Sequence, residues 1–424
     1  MNNFLNKIFG YKKKLGLRER SFLEIINTTK INNVFEAISK FNETSEIRYV
    51  GGCVRKILNG ESFDDIDLAT NISPEQVKEC LNINNIKFFE TGIDHGTITA
   101  NIENKNFEIT SLRKDISTDG RHAVVKFTND WNEDSSRRDF TINAIYADKE
   151  GNLFDPHNGV KDLQNGLVNF IGDPEKRIKE DYLRILRYIR FFLNYSKGSH
   201  QPEIKKVIKQ NISGIKNLSK ERILDELKKI IISRGFYKLS TDDFSKEIIL
   251  IIFPQIKNLD IFKKLSNYSK NIIQKKDFIF LLSLLIIDET DNSNFFLYKF
   301  NFSNENKKRI NFLKEIFGKP LEDNVFSKKN LQKIFYFYEK SYLIDMIDFQ
   351  LIKLNKENKK LISLKKYFEK ISKPSFPIKA NKLMEKYNLK EGRVFGQKLK
   401  KIEKLWMENN FKITDKDVDK IFLD

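Results

Sequence analysis

Between about residues 30 and 150, apolar positions fall in short alternating runs parted by Gly, Asn and Asp, with stretches of helical spacing between some of them. This pattern predicts a helix over 33–41, a strand over 47–50, a short helix over 54–58 and a strand over 65–69. A helix over 74–80 follows, with Ser73 as its cap and Glu75 near its positive end. Short strands are predicted over 87–90, 96–102, 106–112 and 123–127. Beyond about residue 175 the period changes to that of helices. Tyr182, Ile185, Leu186 and Ile189 share one face over 179–193, and Ile223, Leu227 and Ile230 share another over 218–232, where Ser219 is the cap. Further helical segments fall at 277–285, 328–338 and 380–387, and no fixed-period repeat emerges. The expected fold class is α+β: a sheet-bearing first part followed by an all-helical remainder.

Composition narrows the function classes. The chain has 424 residues, enough for two or three domains with sizeable cores. Its longest apolar run, from Phe278 to Ile287, is interrupted by Ser283 and falls short of the ~18 residues of a membrane span. The first twenty residues are basic but lack the apolar core of a secretory signal, while a mitochondrial presequence stays open. Cys53 and Cys80 make neither a disulfide framework nor a metal spacing and fit a reducing compartment, here taken as the cytoplasm. The net charge of +18 is unevenly placed: residues 1–200 hold 29 basic and 29 acidic residues, residues 201–424 hold 47 and 29. All of the excess lies in the second part, which points to a polyanionic partner, nucleic acid first of all. No histidine follows His200, which excludes a His-Asp metal phosphohydrolase module in the tail.

Candidate chemistry concentrates around Gly51-Gly52-Cys53-Val54-Arg55-Lys56 and Asp64-Asp65-Ile66-Asp67. A Gly pair lets backbone approach phosphate oxygens, and the helix after it turns free N–H groups toward the anion. Asp65 and Asp67, one residue apart on a strand, share a face and can hold Mg²⁺, whereas Asp64 falls on the opposite face. Two such ions would lower the pKa of an attacking hydroxyl and brace a triphosphate. Glu108, a charge inside an apolar alternation, is the candidate for a third carboxylate. Arg137 and Arg138 precede the apolar run from Phe140 and suit phosphate recognition, given the Gly-Gly and Asp-x-Asp site nearby. On a helix, Asp181, Arg184, Arg187 and Arg190 form one row. The bland reading is a solvated face with an Asp181–Arg184 ion pair. The sharper one is that an acceptor beside a donor matches the edges of cytosine and adenine and mismatches guanine and uracil.

Taken in order, these motifs resemble those of the class II tRNA nucleotidyltransferases, which include CCA-adding enzymes and bacterial poly(A) polymerases. The likeness runs from about Tyr49 to Leu227. It includes Thr91-Gly92-Ile93-Asp94-His95-Gly96-Thr97, Glu108 to Arg113, Asp119-Gly120-Arg121-His122, Asp155-Pro156 and Glu221 to Leu227. The resemblance implies a polymerase-β-like nucleotidyltransferase head followed by a helical neck, body and tail. It implies that Asp65 and Asp67 are the metal-binding catalytic carboxylates, to which the residue pattern adds Glu108 as the third catalytic candidate. It further implies nucleotide binding by Gly52, Arg55 and Arg138, base selection by Asp181 and Arg184, and support of the nucleotide by Arg187 and Arg190. Lys56 departs from the family, which usually has an acid after the arginine. The implied substrates are CTP, ATP and the acceptor arm and 3′ end of tRNA, with Mg²⁺ as cofactor.

The expected layout is a basic extension over 1–30, a catalytic head over 31–155, a neck over 156–232 and a basic, tRNA-binding body and tail over 233–424. The expected function is template-independent addition of C, C and A to tRNA. An A-adding enzyme and a poly(A) polymerase are the alternatives within the family, although the segment Ile93 to Thr97 lacks the Gly-Arg-Arg-Phe type run of the latter. A small-molecule transferase and a non-catalytic RNA-binding protein are the alternatives outside it.

Overall fold

A computed structural model describes residues 17–63, 65–118 and 123–423. Asp64, the motif Asp119 to His122 and most of the basic extension therefore lie outside the described residues. The chain divides into two compact units, residues 1–252 and 253–424.

The first unit is built on a seven-stranded sheet. Its strands are β1 (Ile47–Val50), β2 (Asp67–Thr70), β3 (Lys87–Gly92), β4 (Thr97–Ile102), β5 (Lys105–Ser111), β8 (Tyr146–Ala147) and β9 (Leu153–Phe154). They lie in the order β3-β4-β5-β2-β1-β8-β9, with β2 and β5 parallel and the other neighbours antiparallel. Side chains alternate between the two faces. Tyr49, Leu68, Ile98, Phe107 and Ile109 join the main core, where α1 (Leu17–Thr29), α2 (Asn32–Ser39) and α4 (Pro74–Ile83) add Phe22, Val34, Phe35, Val77 and Leu81. On the opposite face Val50, Ala69 and Leu112 meet Tyr146 and Trp131, the latter from α5 (Trp131–Ser136). Asp67 precedes Ala69 by two residues and so shares this second face. The start of α4 is fixed as expected: Ser73 caps it, and Gln76 completes a reciprocal capping box.

Three expectations need correction. The strand predicted over 65–69 begins at Asp67, because β1 and β5 offer it partners only from Leu68 and Asp67 onward. Asp65 thus sits just before the strand and is exposed. A hairpin of β6 (Arg113–Thr118) and β7 (Ala123–Phe127) forms a separate two-stranded sheet, of which only the second strand was expected. The helix predicted over 179–193 is two helices, α7 (Pro174–Glu180) and α8 (Leu183–Tyr195). Asp181 breaks it: its backbone is extended (φ −153°) and its Oδ1 accepts the N–H of Leu183 at 3.1 Å.

After α8 the unit continues through α9 (Pro202–Asn211), α10 (Lys220–Ile231) and α11 (Asp243–Ile252). Helix α10 packs on α8 and is capped by Ser219, as expected. Every named element of the second unit among the described residues is helical. Its last segment has a small core of its own around Leu383, Phe395, Ile402, Val418 and Phe422.

Candidate active site

At the end of β1 the chain turns through Gly51, whose φ of +71° and ψ of −117° suit glycine, into the short helix α3 (Gly52–Leu58). A Cβ on Gly52 would lie 3.9 Å from Asp67 Oδ2, and one on Gly51 would lie 3.6 Å from an Arg138 terminal nitrogen. The Gly turn, the Asp67 carboxylate and the Arg138 guanidinium therefore meet at one point. They open into a cavity of about 690 Å³ lined also by Asp65, Arg55, Asp181, Arg184, Arg187 and Arg190. Counting Arg113, Arg137, Arg222 and Lys229, nine cationic side chains face five carboxylates, the other two being Asp115 and Asp139. This balance suits a polyphosphate.

Of the residues expected from sequence, Gly52, Arg55, Asp65, Asp67, Arg138, Asp181, Arg184, Arg187 and Arg190 come together here. Glu108 does not line the cavity: it is exposed on β5, in register with Asp67 on the parallel strand β2. Burial pushes the Asp67 carboxyl above its ordinary value. Glu108 and Asp65 add to this, and Arg138 and Arg55 oppose it. A hard carboxylate whose ionised form is disfavoured by burial and by neighbouring acids is what a divalent cation relieves, so the donor set fits one. Among the described residues no cluster of three His, Cys, Asp or Glu side chains is already gathered to hold a metal.

Most of these arginines are held in place by carboxylates. Asp134, fully buried on α5, takes Arg137 at 2.7 Å and Arg138 at 3.1 Å, and accepts the Tyr146 hydroxyl at 2.7 Å. Burial opposes its ionisation, but Arg138, Arg137 and that hydroxyl outweigh burial and hold the carboxyl well below its usual range. Asp139, also buried, accepts from Arg187 Nε at 2.7 Å and from Asn143 Nδ2 at 2.8 Å. Burial again raises its pKa, while Arg187 and Asn143 bring it down to about 2. Asn143 in turn accepts from Arg55. Arg190 pairs with the buried Glu226 of α10. The Phe191 ring lies under three guanidiniums, those of Arg190 at 4.2 Å, Arg55 at 4.8 Å and Arg187 at 5.6 Å.

Asp181 and Arg184 are not paired as a helical i,i+3 couple would be. Asp181 Oδ2 accepts from Arg222 at 2.7 Å, whereas Arg184 donates to Glu180 at 2.6 Å and to the Arg177 carbonyl at 2.8 Å. Among the site residues that sequence reasoning missed are Asp134, Asp139, Asn143, Phe191, Arg222 and Glu226. Asp134 left a local signal, its spacing of three and four residues before Arg137 and Arg138, and so did Asn143 and Phe191, four residues after Asp139 and Arg187. Glu226 meets Arg190 across two helices, whereas Asn143 joins Arg55 of α3 to Asp139 four residues before it, and Phe191 joins Arg55 to Arg187 and Arg190 of its own helix.

The chain is similar to known proteins in both sequence and fold. Residues 47–169 match the Poly A polymerase head domain, and residues 201–259 match the probable RNA and SrmB-binding site of polymerase A. The human CCA tRNA nucleotidyltransferase 1, mitochondrial, is 44% identical over 228 residues, which is 53% of this chain and about half (52%) of that protein. Its mouse counterpart is 33% identical over 411 residues, covering 91% of this chain and 88% of that protein. The CCA-adding enzyme of Staphylococcus haemolyticus is 32% identical over 310 residues, 71% of this chain and 72% of that one. In fold, the chain is similar to the Bacillus stearothermophilus CCA-adding enzyme in complex with CTP, with a TM-score of 0.68 at 18% identity over 90% of this chain and 94% of that one. With the mouse likeness running through nearly the whole of both chains, this protein belongs to the CCA tRNA nucleotidyltransferase family.

Proposed function

We propose that this protein is an enzyme that adds C, C and A to the 3′ end of tRNA from CTP and ATP, without a nucleic-acid template. The observation that carries this reading is the single cavity that holds the Gly51–Gly52 turn, Asp65, Asp67 and eight arginines. In that cavity the terminal 3′-hydroxyl of tRNA attacks the α-phosphorus of the nucleotide, a new phosphodiester bond forms, and pyrophosphate leaves. The α3 backbone at Gly52, with Arg55 and Arg138, holds the triphosphate oxygens. Asp65 and Asp67 would hold Mg²⁺, which supplies charge stabilisation and an acidified hydroxyl when bound. Glu108, outside the cavity lining but in register with Asp67 on the neighbouring strand, is the candidate to position a metal or take the hydroxyl proton. Asp181 and Arg184 select the base, and Arg187 and Arg190 support the nucleotide.

In this reading residues 31–155 form the head, 156–232 the neck, and 233–424 the basic body and tail that hold the tRNA acceptor arm. The cytoplasm is the proposed site of action, in keeping with the free thiols of Cys53 and Cys80. No helix among the described residues is long and apolar enough to cross a membrane. The human and mouse relatives carry mitochondrial in their names, so recovery of the tagged protein in the organelle fraction would overturn that placement.

The test of the function uses three tRNA transcripts, ending before CCA, after C and after CC, each with CTP, ATP, both or all four nucleotides. Addition that needs Mg²⁺ and stops at CCA on every transcript is the expected result. Addition of A alone, to the CC-ended transcript alone, would make the protein an A-adding enzyme. A long A ladder would make it a poly(A) polymerase. Tight tRNA binding without incorporation would leave an RNA-binding protein.

A further inference from the structure

We infer that Arg222, on α10, is a positioning residue that sets nucleotide selectivity by fixing the carboxylate of Asp181. The inference rests on the proposed reading of Asp181 and Arg184 as the base-selecting pair. The two members of that pair are held in different ways. Arg184 is anchored within its own stretch of chain, by Glu180 and the Arg177 carbonyl. Asp181 lies in the break between α7 and α8, outside both helical ladders, with an extended backbone. Its Oδ1 is taken by the N–H of Leu183, and its Oδ2 receives Arg222 at 2.7 Å from another element. Helix α10 is a firm base for that contact, since Ser219 caps it at the N–H of Arg222 itself and its apolar face packs on α8.

A carboxylate oxygen has two acceptor sites. With one site on Oδ2 filled by Arg222, the other is held at a fixed direction in the cavity, where an exocyclic amino group of cytosine or adenine can donate to it. Uracil and guanine present a carbonyl oxygen at that place and would leave two acceptors facing each other. Without Arg222 the carboxylate can turn about its last bond. The advantage of C and A over U and G then shrinks, while triphosphate recognition at Gly52, Arg55 and Arg138 is left as it was.

The experiment measures kcat/KM for CTP and for UTP on a tRNA lacking CCA, with the full chain as wild type, R222A, R222K, D181A and the double variant D181A/R222A. R222A is expected to lower the CTP-to-UTP ratio about tenfold or more, the scale of a charge-assisted hydrogen bond. R222K, which keeps a charged donor, should recover much of that ratio, and R222A should add nothing in the D181A background. An equal loss for CTP and UTP in R222A would overturn the inference, because a merely structural role predicts that result. A ratio in the double variant well below that of D181A alone would overturn it too. If R222A does not fold by circular dichroism, R222Q carries the same test with a single neutral donor in place. An unchanged ratio in D181A would remove the base-selecting role and this inference with it. The absence of any incorporation by wild type would instead strike at the proposed function.

Discussion

Replacing Asp139 by Asn tests whether the site is held by its buried acids. Asp139 Oδ1 accepts the backbone N–H of Phe140 at 2.9 Å and Asn143 Nδ2 at 2.8 Å, and Oδ2 accepts Arg187 Nε at 2.7 Å. In Asp139→Asn one oxygen becomes an NH₂ group facing one of these donors. That leaves a buried donor unpaired at a cost of about 1–3 kcal/mol. The charge contributes on a similar scale, because a carboxyl drawn from 3.8 to about 2 stabilises the fold by about 2 kcal/mol at neutral pH. Together the two descriptions of this one contact place the loss at roughly 2–4 kcal/mol. The folded pKa is the depressed one, so this stability is fully present above the unfolded value of 3.8 and is lost as pH falls through about 2. The gap between wild type and variant should therefore narrow by about 1 kcal/mol between about pH 7 and pH 3.

The assay is urea unfolding of the full chain in a Trp406→Phe background. There Trp131 is the remaining tryptophan and reports on the first unit alone. Since Arg187 lines the cavity and Asn143 holds Arg55, KM for CTP should also rise, by about tenfold if one charged contact is lost. A stability change below about 0.5 kcal/mol, or a gap that does not vary with pH, would refute the reasoning.

Three further substitutions probe other parts of the site. Asp67→Asn should cut incorporation by ~10³-fold or more while leaving the unfolding midpoint unchanged or raised, because burial and Glu108 already disfavour the ionised carboxyl there. Retained activity, or a clear loss of stability, would contradict that assignment. Gly51→Ala should cost about 1–3 kcal/mol through backbone strain alone, since the new Cβ would find 3.6 Å of room beside Arg138; an unchanged urea midpoint would disprove it. Gly214→Ala should raise KM for CTP and cost about 1–3 kcal/mol, as its Cβ would sit 2.1 Å from the Tyr182 ring, next to Asp181; wild-type kinetics would show that the ring has somewhere to go.

The parts of this structure legible in the sequence are those decided by neighbours along the chain. The turn at Gly51 and the cap at Ser73 are local, and each is where the pattern placed it, whereas the shared strand face expected of Asp65 and Asp67 is lost because the strand starts only at Asp67. The break at Asp181 was hidden because Ile185, Leu186 and Ile189 keep a helical period that runs back to Tyr182, and spacing does not report whether a backbone hydrogen bond closes. Strand β6 was hidden by Arg113, Lys114 and Asp115, whose polarity breaks the alternation of a half-buried strand. The pairs Asp139–Arg187, Arg190–Glu226 and Asp181–Arg222 are 48, 36 and 41 residues apart in sequence, and nothing short of the folded unit brings them together.

Those long-range pairs answer a physical difficulty that the motifs alone pose. A cavity lined by eight arginines would spread them apart by mutual repulsion before any phosphate arrived. The array is held by acids: Asp134 for Arg137 and Arg138, Glu226 for Arg190 and Glu180 for Arg184 outside the cavity lining, and Asp139, within the lining, for Arg187. Each acid offsets the repulsion and fixes the guanidinium plane, so little ordering is left for the nucleotide to impose. On the proposed reading, the affinity for triphosphate is set by the acids that hold these arginines as much as by the arginines themselves. On this account, removing any one of these acids should weaken nucleotide binding and loosen the fold together.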